Sequence, residues 1–200
     1  MGGNGQSITF YENGHFYLDE FGVIVPSVSD VIDFAFPNKY RSIPLKILEC
    51  KARYGTALHS CIEKILIGKK LKKSEVADAN IKATIEYFKK LNKVLKIKPK
   101  EIEKLGTYKG LIAGTCDIIT ETDDIIDIKT TSKLFVDNET LQAPLNLQIS
   151  LYYLINGIKK KKGYALWLPK DINPLHLITL ELRFKTEHQI LLTILLTRKS

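Results

Sequence analysis

Cysteine is scarce in this chain. Cys50, Cys61 and Cys116 are odd in number, widely spaced, and form no C-x-x-C pair. That excludes a disulfide scaffold and a four-cysteine iron–sulfur site, and it points to a reducing, intracellular compartment. No apolar run reaches 18 residues, so no membrane-spanning helix is expected. The start, Met1 to Ser7, is polar and reads as flexible; it lacks the basic and apolar stretches of a signal peptide. Gln6 stands where a myristoylation motif needs Ser or Thr. Only four of the 30 Lys and Arg residues are arginine, which argues against bidentate readout of base edges. Internal repeats, low-complexity tracts and domain linkers are missing too. A length of 200 residues, 44% hydrophobic and 26% charged, then fits one soluble globular domain.

Positive charge is abundant and unevenly placed. The net charge is +8, yet residues 105–157 hold three lysines against seven acids, while residues 69–104 hold twelve lysines against five. An acidic centre flanked by basic segments suits a metal site gripping a polyanion. Lysines that merely solvate helices are the plainer alternative.

Periodicity sketches a mixed α/β chain. Residues 8–11 and 15–18 read as strands about the turn Glu12-Asn13-Gly14, and Val23 to Val25 extends them. A helix opens after Pro26, capped by Ser27 or Ser29. Helices are expected over 54–67, stopped by Gly68, and over 75–96. The second carries Ile81, Ile85, Phe88, Leu91 and Leu95 on one face and Lys82, Lys89, Lys93 and Lys96 on another. That lysine stripe is a solvated face or, in the sharper reading, a phosphate track. Glu101 to Leu105 reads as a strand, 111–130 as a hairpin, and 139–157 as a helix apolar almost all round. Strands over 163–168 and 175–182 and a helix over 186–197 complete the chain. Tyr164 and Trp167 read as strand-packing aromatics, with base stacking the alternative.

The hairpin says most about chemistry. Asp117 and Asp127 are each flanked by isoleucines, and a turn centred near Thr122 sets them opposite each other, within ~6 Å. Lys129 projects from the same face as Asp127. Two carboxylates converging among apolar neighbours need a cation, and a divalent metal with a lysine suits phosphoryl chemistry. A solvated hairpin is the bland alternative, but buried carboxylates need partners.

Two further pairs stand out. His59 and Glu63 lie one helical turn apart, as a surface pair or with His59 as a metal ligand. Gln148 and Tyr152 lie one turn apart on the apolar helix, where both need hydrogen-bond partners.

In order, Gly55-Thr56-x-x-His59, Gly114-Thr115-x-Asp117, Asp127-x-Lys129-Thr130 and Gln148-x-x-x-Tyr152 resemble the PD-(D/E)XK nuclease superfamily. The likeness is to the branch of the RecB nuclease domain and the mitochondrial genome maintenance exonuclease, and Ser27-x-Ser29 resembles that branch's opening motif. It spans roughly residues 26–170. The acid before x-Lys is Asp rather than Glu, and the four cysteines of the branch's iron–sulfur members are missing, so no cluster is expected.

The resemblance implies a restriction-endonuclease-like fold, a mixed central sheet of about five strands flanked by helices. An N-terminal β-hairpin over 8–25 would precede a nuclease core over 26–200. It implies an Mg²⁺- or Mn²⁺-dependent deoxyribonuclease, an exonuclease or end-processing enzyme in recombination, repair or phage DNA metabolism. Its substrate would be single-stranded DNA or duplex ends. His59, Asp117, Asp127 and the Ile128 carbonyl would bind metal; Lys129 would act on water or developing charge; Gln148 and Tyr152 would orient Lys129 or hold the strand. Ser27, Ser29, Thr130 and the lysines at 82, 89, 93 and 96 would contact DNA. Glu101 and Glu103 share strand parity, and either could supply an upstream acid. The rivals are a DNA-binding module with little catalysis and a metal-dependent hydrolase of a small phosphorylated molecule.

Overall fold

The computed structural model describes residues 7–11, 14, 16–37, 43–130, 139–159, 162–168 and 176–180. The expectations for residues 1–6, for most of the turn at 12–14, and for the helix over 186–197 lie outside these residues.

Two sheets organise the described residues. The first is antiparallel: β1 (Thr9–Tyr11), β2 (Phe16–Leu18) and β3 (Ile24–Val25), in that order. The second has five strands, in the order β4 (Pro99–Tyr108), β5 (Ile112–Thr120), β6 (Ile125–Lys129), β7 (Gly163–Trp167) and β8 (His176–Leu180). All its pairings are antiparallel except β6 with β7. A parallel pair needs a crossover, and helix α4 (Glu139–Ile155) supplies it. The mixed sheet flanked by helices agrees with the expected architecture. The strand expected over Val23 to Val25 is present as β3, where Val25 pairs with Tyr17.

The central strands are built from β-branched residues and buried on both faces. One face packs Ile119, Ile125, Ala165 and Trp167 against α1 (Val28–Ala35) and α4. The other packs Ile118, Ile126, Ile128 and Leu166 against α2 (Leu45–Leu66) and α3 (Ala79–Leu95). Trp167 is therefore core, and Tyr164 is half-buried against the second cluster.

Some boundaries move. Helix α2 begins at Leu45, nine residues before the expected start. Between Leu45 and Arg53 the residues favour helix but none is buried, so apolar periodicity carried no signal there. The expected helix over 75–96 splits into a 3-10 turn, Lys73–Val76, and α3. Asp78 makes the break by capping the Asn80 and Ile81 amides. Strand β4 is twice the length expected and starts at Pro99, which the sheet edge tolerates. Among the described residues no helix is long and apolar enough to cross a membrane.

Candidate active site

Close approaches bring the elements together. A Cβ on Gly114 would meet Val28 Cγ2 at 2.7 Å, so the glycine lets α1 lie directly on β5. There Ser27 bridges Ala113, and its side chain accepts from the Asp30 amide while Asp30 accepts from the Ser27 amide. Ser27 is thus buried in a capping box, with Ser29 exposed beside it. A Cβ on Gly55 would lie 3.4 Å from Thr130 Oγ1. Helix α2 therefore passes tightly by the end of β6, and one turn later His59 faces β5.

The β5–β6 ladder pairs Ile118 with Ile126 and Ile119 with Ile125, which centres the hairpin on Thr122 as expected. It ends there, one residue short of an Asp117–Asp127 pair. The expected opposition of the two acids is replaced by a fork. The Ile128 amide donates to Asp117 Oδ2 at 2.6 Å, so a side chain takes over as acceptor where the strands part. Strand alternation breaks at the same place: Cys116 packs with the α1/α4 core and Ile118 with the α2/α3 core. Across β4, the pairs Ile102–Ile118 and Lys104–Cys116 bracket Glu103, whose φ of 49° is left-handed. A non-glycine residue in that region within a strand is strained, a condition that clusters at functional sites.

Asp117 and Asp127 have different company. His59 Nδ1 stands 3.6 Å from Asp117 Oδ1. Ligand atoms of His59, Glu103 and Asp117 all lie within 4.8 Å of one another, a group able to hold a metal ion. This chooses Glu103 over Glu101, which pairs with Lys104 at 2.6 Å instead. Asp127 lies outside the trio. Its Oδ2 pairs with Lys129 Nζ at 2.6 Å and its Oδ1 accepts from Gln148 Nε2 at 3.1 Å. Lys129 also donates to Gln148 Oε1 at 3.1 Å, and Gln148 Nε2 reaches the Tyr152 hydroxyl at 2.9 Å. Of Ile128 the structure shows the amide at work on Asp117.

The electrostatics follow from burial and crowding. Burial works to raise the Asp117 carboxyl, but His59, Lys129 and the Ile128 amide hold it below the usual range. Burial pushes Asp127 up to about 6, with Lys129 opposing and Asp117 adding to the rise. Burial and the Asp117 charge push Glu103 up to about 7. For His59, burial favours the neutral ring, but the adjoining Asp117 outweighs it and raises the pKa. Burial lifts the Tyr152 hydroxyl well above its ordinary value, so it stays protonated.

A cavity of about 760 Å³ opens over His59, Glu103, Asp117 and Tyr152, while Asp127, Lys129 and Gln148 do not line it. Its walls come from α2 (Thr56, His59, Ser60, Glu63), the β4–β5 ladder (Glu103, Leu105, Thr115, Asp117), the start of α1, Tyr152, and Phe10 and Tyr17 of the first sheet. The aromatic pair escaped the sequence reading. A signal was present: the Asn13-Gly14 dipeptide centres a hairpin that sets Phe10 opposite Tyr17. Lys82, Lys89, Lys93 and Lys96 line none of this cavity; Lys89 pairs with Glu86 on the outer side of α3.

No protein-family model matches the chain, and no curated protein matches it. Among solved structures, the crystal structure of SSO0001 is similar at a TM-score of 0.43 and 15% identity, over 88% of this chain and 75% of that one. A likeness of that degree bears no weight for function.

Proposed function

We propose that this protein is a metal-dependent DNA nuclease of the PD-(D/E)XK type, close to the RecB nuclease branch, that trims or processes DNA ends. The observation that carries the reading is a division of labour at one fork. Three ligand atoms from His59, Glu103 and Asp117 converge within 4.8 Å, while Lys129 is held on Asp127, close enough to lower the Asp117 pKa. The donor set fits a small divalent cation: two carboxylates that repel each other and one imidazole nitrogen. An imidazole ligand makes Mn²⁺ as welcome as Mg²⁺.

When bound, the ion supplies a water of lowered pKa and offsets charge on phosphoryl oxygens. His59 serves as a neutral donor, so its proton must leave first. Glu103 must likewise release the proton that Asp117 helps it keep. Lys129 places its ammonium where phosphate charge develops. Asp127 and Gln148 fix that ammonium from two sides, which limits its rotamer freedom. Recombination, repair or phage DNA metabolism is the proposed setting.

The test is incubation of the protein with labelled single- and double-stranded DNA and Mn²⁺ or Mg²⁺. Cleavage is expected in the wild type and its loss in Asp117→Ala and Lys129→Ala. Absence of cleavage with every metal and substrate, or undiminished cleavage by both variants, rejects the reading. One observation favours a second reading, hydrolysis of a small phosphorylated molecule: the α3 lysines stand outside the cavity. Turnover of nucleoside phosphates without cleavage of polymeric DNA would select it.

A further inference from the structure

We propose that Phe10, backed by Tyr17, is a base-binding wall of the cavity, so that the site takes a DNA strand with an unpaired base beside the reacting phosphate. The inference rests on the nuclease reading above.

The wall is built, not incidental. Register places Phe10 directly opposite Tyr17, with ring centroids 5.0 Å apart and planes tilted by 34°. Tyr17 is 2% exposed, and its hydroxyl lies 3.2 Å from Thr115 Oγ1, which ties the first sheet to β5. Phe10 is half-buried and reaches the cavity. The tie sits close to the acids. Leu105 pairs with Thr115, two residues along the ladder from Glu103 and Asp117, or ~7 Å. That span takes the acids to the Tyr17 hydroxyl, and the Phe10 ring packs against the Tyr17 ring.

Volume and polarity make the same point. A water takes roughly 30 Å³. An ion, its waters and one phosphate leave much of a 760 Å³ cavity unfilled. The remainder has an apolar side, Phe10, Tyr17, Val28 and Leu105, and a hydroxyl-bearing side that includes Ser27, Ser29, Ser60 and Thr115. A flat, uncharged group with polar edges, attached to a phosphate, fits that lining, and in DNA this group is the base. A base reaches a side wall only when it is free of its partner strand, so the wall selects single strands or frayed ends.

The experiment measures binding of the full chain to short labelled oligonucleotides by fluorescence anisotropy, in Ca²⁺ to suppress turnover. Three probes share a length: a single strand, the same strand with abasic sites, and its duplex. The wild type should prefer the intact single strand over the abasic one by about 5- to 150-fold, the range one stacked base provides. Phe10→Ala should erase that preference, and Phe10→Tyr should restore it. Phe10→Leu keeps the bulk without the aromatic face and should behave as Phe10→Ala, which covers any loss of folding in the alanine variant. Equal binding of intact and abasic strands by a wild type that still cleaves DNA with Mn²⁺ overturns the wall and leaves the nuclease reading standing. Base-dependent binding without metal-dependent cleavage does the reverse. Failure to bind any oligonucleotide overturns both.

Discussion

Asp117 and Asp127 sit on adjacent strands of one sheet, yet Asp117 meets α2 through His59, while Asp127 meets α4 through Gln148. The Asp127 side is complete in itself: one carboxylate oxygen faces Lys129 and the other accepts from Gln148, which also holds Lys129. The Asp117 side is not. His59 stands at 3.6 Å, longer than a hydrogen bond, and Glu103 brings a second carboxyl group to the same spot. One half of the site is set in advance, and the other half is a group able to hold a cation. The difference shows how a fold can hold a lysine rigid while keeping a separate His–Glu–Asp group apart from that task.

Breaking either half should cost activity, but only one should cost metal. Asp117→Asn and Lys129→Ala are each expected to lower DNA cleavage on the order of 10³-fold, equivalent to several kcal/mol. Calorimetric titration with Mn²⁺ should show weakened binding in Asp117→Asn and near-normal binding in Lys129→Ala. Equal loss of Mn²⁺ affinity in both would dissolve the distinction. Gln148→Ala removes the brace from Asp127 and Lys129, and about 10- to 100-fold slower turnover is expected at unchanged Mn²⁺ affinity.

Stability should divide in the same way. At 100-fold Kd, Mn²⁺ should stabilise the wild type by about 2.7 kcal/mol, a Tm rise on the order of 5–10 °C that chelation reverses. Glu103→Gln and His59→Ala should shrink this rise.

The smallest effect concerns pH without metal. Glu103, Asp127 and His59 all have folded pKa values above their ordinary ones. Stability from such groups is present below the ordinary pKa and lost as pH rises through the folded value. Asp117 is lowered, so its contribution fades only on acidification below the carboxylate range. Metal-free protein should therefore lose a few degrees of Tm between about pH 5 and pH 8. Glu103→Gln should flatten part of that decline. Glu103 is only partly enclosed and keeps exposed surface, so screening trims its share. A Tm that rises over the same interval would contradict the crowding of charges described for the Asp117 side.

Much of this was legible in the sequence, for physical reasons. Isoleucine-rich runs at 112–120 and 125–129 could hardly be anything but central strands. The Gln148/Tyr152 spacing put both on one face of α4, where the structure finds them bonded. The choice between Glu101 and Glu103 was closed to parity arguments, because strand alternation itself breaks at Asp117 and the backbone turns left-handed at Glu103. The first turns of α2 were hidden because they bury nothing. The place of Phe10 and Tyr17 at the cavity was hidden because it depends on how one sheet leans on another, through Tyr17 and Thr115.

The parallel pairing of β6 with β7 also sets a timetable. Strands β4 to β6 follow one another through short turns, so the three carboxylates can gather early in folding. Gln148 arrives only when α4 has crossed over and β7 has docked alongside β6. Until then Lys129 lacks its brace. An incompletely folded or truncated chain thus carries the acids without a positioned ammonium, and the Asp127–Lys129–Gln148 arrangement exists only once α4 and β7 are in place.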